Sequence, residues 1–240
     1  RDWGNLGFGY IKTDFNVRTY WRDGKWGTLT MTDDTNITMS MAATCLHYGQ
    51  ESFEGLKAFR GKDGLVRLFR VEENAKRMIR SAEYLKMAAP TVELFVEAVK
   101  MAVNANEQYI PPYGTGASLY VRPLLIGTGA QVGVKPADEY LFMVFVTPVG
   151  PYYKTGFKPI NVMVDRDHDR AAPHGTGHVK VGGKYAASLL SGYQGHQNGY
   201  PSVMYRAACE EEYIDESGAA QVLGIRHVAY LTPTTPSVLP

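Results

Sequence analysis

Apolar positions in the first half of this chain switch repeatedly between the two-residue period of strands and the wider period of helices. TYWRDGKWGT (Thr19 to Thr28) centres on Asp23-Gly24, a pair that suits the positive backbone angles of a tight hairpin turn. GLVRLFR (Gly64 to Arg70) alternates as a half-buried strand does. From Glu72 to Leu85 the period widens. Ala75, Met78, Ile79, Ala82 and Leu85 share one helical face, and Glu72 and Glu73 occupy the first turn, where the macrodipole favours acids. Thr91 to Gln108 predicts a second helix. SLYVRPLLIGT (Ser118 to Thr128) and EYLFMVFVTP (Glu139 to Pro148) have the continuous apolarity of strands in a covered sheet. The Pro- and Gly-rich VGPYYKTGFKP (Val149 to Pro159) predicts an interdomain loop. A strand at Ile160 to Asp165, a helix from about Lys184 to Gly195, and short strands near Ser202 to Arg206 and His227 to Thr232 complete the pattern. The predicted class is α+β to α/β. A small α+β domain spans 1–148, a loop 149–159, and the N-terminal part of a larger domain 160–240, the last too short to close on itself.

Composition narrows the field. The 240 residues are 45% hydrophobic and 20% charged, ordinary for a globular chain that buries a real core. A net charge of +1 gives no reason to expect nucleic acid or an anionic membrane as partner. Cys45 and Cys209 stand far apart without a CxxC pair, so the expected setting is reducing and cytoplasmic, with no disulfide or zinc framework. The start at Arg1 and the finish at SVLP are expected to be cut ends of a longer protein.

Two motifs invite functional readings that their context opposes. IGTGAQVG (Ile126 to Gly133) comes after a strand like a dinucleotide loop, but Pro136 forbids the helix that must open behind it. DRDHDRAAPHGTGH (Asp165 to His178) is rich in possible metal ligands. Its histidines are six and four apart across a Pro-Gly loop rather than on one helix face, and Arg166 and Arg170 would oppose a cation, so a solvated loop without metal is expected.

HVKVGGKYAAS (His178 to Ser188) carries two lysines. A nucleophilic lysine must be shielded enough for a neutral amine to exist. Lys184 sits in the first turn of a predicted helix, where a cation opposes the dipole and is expected to stretch into water. Lys180 lies in an extended piece between Val179 and Val181, ahead of Gly182-Gly183, whose missing side chains permit close approach of a planar ligand. The residues favour Lys180.

KVGGKY also resembles the KxGGNY segment of branched-chain amino-acid aminotransferases, fold type IV enzymes that use pyridoxal phosphate. LHYGQESFEGLKAFRG (Leu46 to Gly61), VRLFRVEENAKRM (Val66 to Met78), ASLYVRPLLIGTGAQVGVKP (Ala117 to Pro136), VTPVGPYYKTGFKP (Val146 to Pro159) and EEYIDESGAA (Glu211 to Ala220) extend the likeness in family order over most of the chain. The resemblance implies a two-domain fold type IV architecture whose second domain is truncated here. It implies ping-pong transamination between leucine, isoleucine or valine and 2-oxoglutarate, through pyridoxal 5'-phosphate held as a Schiff base on Lys180. Cofactor contacts are implied at Arg77 for the phosphate, Tyr185 for the phenolic oxygen, Glu216 for the pyridine nitrogen, and the backbone of Ala219 and Ala220. Substrate contacts are implied at Tyr48, Phe53, Tyr120, Arg122 and Tyr152, with Arg122 serving the distal carboxylate of glutamate or 2-oxoglutarate. Tyr48 would reach a neighbouring subunit, so a homodimer or higher homo-oligomer is expected. Other fold type IV enzymes, such as D-amino-acid aminotransferases and aminodeoxychorismate lyases, share the lysine and the glutamate and stand as alternatives, as does a truncated non-catalytic relative whose second domain serves only in oligomerisation.

The chain departs from that pattern at several positions. Lys184 stands where the family usually has Asn, Gln221 where an Asn commonly closes the stretch, and Ala219 where many members have Thr. Met204-Tyr205-Arg206-Ala207 replaces an apolar run that typically ends in an acid, which leaves the packing beside Glu216 open.

Overall fold

A computed structural model describes residues 2–153, 158–208, 212–218, 220–233 and 237–239. The chain divides into two compact units, 1–157 and 158–240.

The first unit runs β1 (Asn16–Arg22), β2 (Lys25–Trp26), β3 (Thr30–Thr32), α1 (Thr44–Tyr48), β4 (Glu51–Phe53), β5 (Leu56–Arg60) and β6 (Val66–Leu68). Then come α2 (Val71–Tyr84), α3 (Val92–Ala105), β7 (Ser118–Gly127) and β8 (Tyr140–Val149). Its strands form one sheet of eight, in the order β2-β1-β8-β7-β5-β6, with β3 also on β1 and β4 also on β7. Every pairing in it is antiparallel. The first hairpin forms as its turn residues predict. Arg22 pairs with Lys25, and Asp23 and Gly24 take φ of 51° and 78° between them.

β7 and β8 pair from Ser118↔Val149 to Gly127↔Tyr140, and β8 is buried along almost its whole length. Its apolar run is continuous because both faces are covered. On one face Met78, Ala82, Phe95 and Val99 from α2 and α3 meet Leu119, Val121, Phe142 and Val144. Ile126, Leu141 and Met143 point the other way, against Ile37, Met39 and Phe145. The Thr91 hydroxyl caps α3 by accepting from Leu94 N at 3.1 Å. The helix expected to reach Gln108 stops at Ala105. Asn106 leaves helical geometry, donates to Phe15 O and Ala102 O, and accepts from the amides of Asp14 and Phe15. A buried amide committed to another segment thus outweighs the helical propensity of the next residues.

The second unit contains β9 (Met163–Val164), α4 (Gly182–Ala186), α5 (Leu189–Gln197), β10 (Val203–Arg206), β11 (Ile214–Ser217), β12 (Gly224–Arg226) and β13 (Ala229–Leu231). β10 pairs in parallel with β9 and antiparallel with β11, while β12 and β13 form a separate hairpin. The strand expected over 160–165 is confined to Met163–Val164. The single helix expected from Lys184 to Gly195 is two. Ser188 Oγ bonds back to Tyr185 O at 2.8 Å, an alternative to helical bonding that accompanies the break between α4 and α5.

The stretch from Asp165 to His178 is a loop that exposes Arg166, Asp167, His168, Asp169, His174 and His178, as its polarity suggests, but two of its charged residues depart from that expectation. Asp165 and Arg170 are both buried. Asp165 accepts from the Ser191 hydroxyl and from the amides of Asp167 and His168 at 2.9 and 3.1 Å. Burial alone would raise its pKa, but these donated bonds, with the His168 ring beside it, hold it below the ordinary 3.8. Among the described residues no helix is long and apolar enough to cross a membrane.

This packing generates two expected outcomes. Phe95 is fully buried and stacked on Phe142 at 5.8 Å, so Phe95→Ala should lower the unfolding free energy of the first unit by about 3–5 kcal/mol, measured by urea denaturation. Because the Asp165 pKa is depressed, its stabilisation is present above the unfolded-state value and is lost as pH falls through the folded-state value. Thermal melts from neutral pH to about pH 3 should therefore show Asp165→Asn less stable at neutrality, with the gap narrowing below the unfolded-state value.

Candidate active site

Two groups of the expected residues come together, one within each unit.

In the first unit, Tyr120 and Arg122 are two apart on β7 and share a face, as the strand period requires. Arg122 donates to the Tyr120 hydroxyl, with Nη2 at 2.9 Å, and its guanidinium lies 4.7 Å from the centroid of the Phe53 ring on β4. The Tyr120 hydroxyl fits because Gly55 has no side chain, since a Cβ there would collide with that oxygen. Phe8, which sequence reasoning does not single out, bridges this group to the loop. Its ring meets Tyr120 edge-on at 5.6 Å and Tyr152 edge-on at 5.4 Å. Its only sequence signal is an aromatic set between glycines in GFGY. Among the described residues no carboxylate pairs with Arg122, so its charge is balanced only by a phenol and aromatic faces. Tyr48, at the end of α1, stands apart from this group. Its ring is partly exposed and its hydroxyl donates to Val132 O.

Arg77 lies on α2, where a surface arginine is the ordinary expectation. It instead forms a two-pronged pair with the fully buried Glu54, Nε to Oε1 at 2.6 Å and Nη2 to Oε2 at 2.8 Å. Asn74 adds a bond to Glu54 Oε2 at 2.8 Å. This fixes the plane of the guanidinium and occupies its Nε–Nη2 edge. Glu54, inside the FEGLKAF block, is the partner that sequence reasoning missed.

In the second unit, Lys180 comes after a turn rather than within a strand, and only Val181 beside it is clearly extended. Val179 and Val181 are buried and Lys180 is half-buried, so the alternation expected around it holds locally. Lys180 Nζ donates to the Tyr185 hydroxyl at 2.8 Å and sits 5.0 Å from the centre of that ring.

Lys184 corrects the solvent-reaching expectation. Its side chain is buried, with Nζ 2.6 Å from Glu216 Oε1, 2.7 Å from Gly177 O and 3.4 Å from Ser237 O. Lys184 lies in the five-residue helix α4, which buried and extended Val181 precedes, and no local spacing announces its burial. Burial lowers the Lys184 pKa, while the bond and charge of Glu216 work in the opposite direction. Glu216, whose ordinary sequence reading is a solvated hairpin acid, is buried on β11. Arg170 approaches its Oε1 to 3.7 Å through Nε, donates to Lys184 O and to Gly218 O, and lies over the Tyr185 ring at 4.9 Å. Ala220 O accepts from Ser217 N at 3.1 Å, closing a tight turn after β11, while Ala219 falls outside the described residues. Among the described residues no group of three His, Cys, Asp or Glu could hold a metal ion.

The second unit's residues suit pyridoxal phosphate in kind. A half-shielded amine bonded to a phenol and a buried carboxylate are the partners that an aldehyde and a basic ring nitrogen require. Glu216 Oε1 is also buried without a well-directed hydrogen bond among the described residues, despite the ion pair beside it.

No protein-family model matches the chain. It is 48% identical to a branched-chain-amino-acid aminotransferase of Haemophilus influenzae, over all of this chain and 71% of that protein. It is 46% identical to one of Helicobacter pylori, with the same coverage. The fold is that of the Escherichia coli branched-chain amino acid aminotransferase crystal structure (TM-score 0.74, 24% identity, 95% of this chain and 71% of that one). It is also that of the Thermobaculum terrenum branched-chain amino acid aminotransferase in its PLP form (TM-score 0.74, 17% identity, 95% and 69%). These neighbours are fold type IV enzymes, the architecture that the sequence motifs imply. At 48% identity to a relative of which it spans more than two thirds, the chain belongs to the branched-chain-amino-acid aminotransferase family.

Proposed function

We propose that this protein transfers the amino group of leucine, isoleucine or valine to 2-oxoglutarate in two half-reactions, with pyridoxal 5'-phosphate carried on Lys180. The observation that carries the reading is the Lys180 amine, bonded to the Tyr185 phenol in the same unit as a buried glutamate, in a chain of this family. When bound, the cofactor supplies an aldehyde that condenses with amines and a ring that withdraws electrons.

The chain's own residues do the rest. Lys180 Nζ holds the cofactor and, once released by an incoming amino acid, moves a proton to and from the substrate Cα as a general base and acid. Tyr185 orients that amine through its hydroxyl. Glu216 presents a fixed negative charge that favours a protonated ring nitrogen. Arg77, which is paired with Glu54, is assigned to the phosphate by the family likeness, as are the backbone groups of Ala219 and Ala220.

Phe8, Phe53, Tyr120 and Tyr152 give an aliphatic side chain an apolar wall. Arg122 gives the second substrate's distal carboxylate an ionic partner, so one pocket serves two chemically different acids. The same reading includes a homodimer or larger homo-oligomer, supported by the exposed Met41, Leu46, Val132 and Val134 around Tyr48, and a reducing cytoplasmic setting.

Lys180→Ala should abolish both the visible absorbance of the reconstituted intact protein and leucine-dependent glutamate formation. Borohydride reduction of the unmodified protein should trap the cofactor on Lys180. Turnover of D-alanine without turnover of L-leucine would overturn the substrate assignment. Arg122→Met should raise KM for 2-oxoglutarate by about 10- to 100-fold while changing the leucine half-reaction by only a few-fold, as half-reaction kinetics would read. Equal losses on both substrates would remove Arg122 from that role.

A further inference from the structure

The lysine that departs from the family pattern is also the one most deeply engaged with the acid of the site. Lys184 brings a fixed positive charge to 2.6 Å from Glu216 Oε1, inside the protein. Arg170 brings a second to 3.7 Å from the same oxygen. One carboxylate therefore faces two cations before any ligand arrives. The other titratable groups around them are Lys180 and Tyr185 ahead of and within α4, Tyr205 on β10, and Asp215 on β11. Asp215 is itself occupied, with its Oδ2 accepting from the Ser237 hydroxyl at 2.6 Å. Lys184 also ties three segments to one point, since it donates to Gly177 O and Ser237 O while ion-paired to β11.

We propose that Lys184 is a positioning residue that sets how strongly Glu216 can hold a proton on the cofactor's ring nitrogen. The inference rests on the cofactor reading above and adds to it a residue outside the family pattern. Lys184 holds the Glu216 carboxylate in place through the ion pair at 2.6 Å. At the same time its charge opposes a further positive charge on the far side of the same carboxylate. A neutral residue of similar length at 184 leaves Glu216 to a single cation, Arg170, and the ring nitrogen then stays protonated to higher pH. Across one carboxylate, at the effective dielectric of a protein interior, one unit charge amounts to about one to two pH units.

The test uses the intact protein loaded with 15N-labelled pyridoxal phosphate, and tracks the ring nitrogen's chemical shift against pH. Relative to the unmodified protein, the Lys184→Met titration midpoint should rise by about one to two units. Lys184→Arg keeps the charge and should hold the midpoint where it was, even if its thermal stability falls. If Lys184→Met does not fold, Lys184→Gln serves as the neutral variant. A merely structural lysine would change the melting temperature in every variant and leave the midpoint in place. An unchanged midpoint in the neutral variant, while Glu216→Gln lowers it, overturns the inference and leaves the cofactor reading standing. No ring-nitrogen signal from the unmodified protein overturns the cofactor reading itself, and the inference with it.

Discussion

A carboxylate removed from water must be supplied with positive charge or protonated, and either choice decides what it can do. Glu216 is such a group, and two cations of the second unit are set beside it. Lys184 and Arg170 supply the cations. Each of them is in turn held by backbone carbonyls, Gly177 and Ser237 for the lysine, Lys184 and Gly218 for the arginine. Segments distant in sequence are joined through those bonds: the loop before Lys180, the short helix α4, the strand β11 and the stretch around Ser237. Among the described residues of this unit the buried hydrophobic ones are Val179, Val181, Val203, Tyr205 and Val238. Polar geometry therefore carries a share of the specificity that apolar packing carries in the first unit.

The first unit meets the same constraint differently. Its buried acid, Glu54, has one arginine and one amide, both supplied by α2. Removing either charged partner of such a pair costs about 3–5 kcal/mol, because the survivor is left buried and unpaired. Arg122, by contrast, has aromatic faces and a phenol but no acid among the described residues. Of two arginines in one unit, one has its charge met internally and the other does not. That difference is set by neighbours far away in sequence.

Much of this is legible in the chain. The Asp23-Gly24 hairpin, the two helices on the sheet, the continuous apolarity of β7 and β8, and the shared face of Tyr120 and Arg122 all come from local period and turn chemistry. Lys180 is favoured over Lys184 by its apolar neighbours and the glycines behind it, and Tyr185 enters through the family motif. The hidden part is set by tertiary partners. Asn106 ends α3 because its amide is claimed by residues 14 and 15. Asp165 and Arg170 read as solvated because their own segment is polar, and nothing local announces Ser191 or Tyr185 as partners. A sound rule about helix dipoles places Lys184 in water, but a five-residue helix has little dipole to oppose. A buried acid 32 residues onward in the chain outweighs it.

That last point bears on how a buried lysine is accommodated here, where the resemblance leads one to expect an asparagine. An asparagine side chain both donates and accepts, and satisfies carbonyls without adding charge. A lysine only donates, so it needs acceptors on every side, and here it finds two carbonyl oxygens and a carboxylate oxygen within 3.4 Å. The desolvation cost of the ammonium is offset by an acid that the site already keeps buried. The substitution therefore preserves the donor contacts that hold the segment together and changes one quantity, the charge beside Glu216. A change confined in that way alters the electrostatics of a site without dismantling its geometry. The same reasoning explains why Arg170 matters as much as the lysine. Its Nε lies 3.7 Å from the oxygen that Lys184 meets at 2.6 Å, so two cations converge on one acceptor of Glu216.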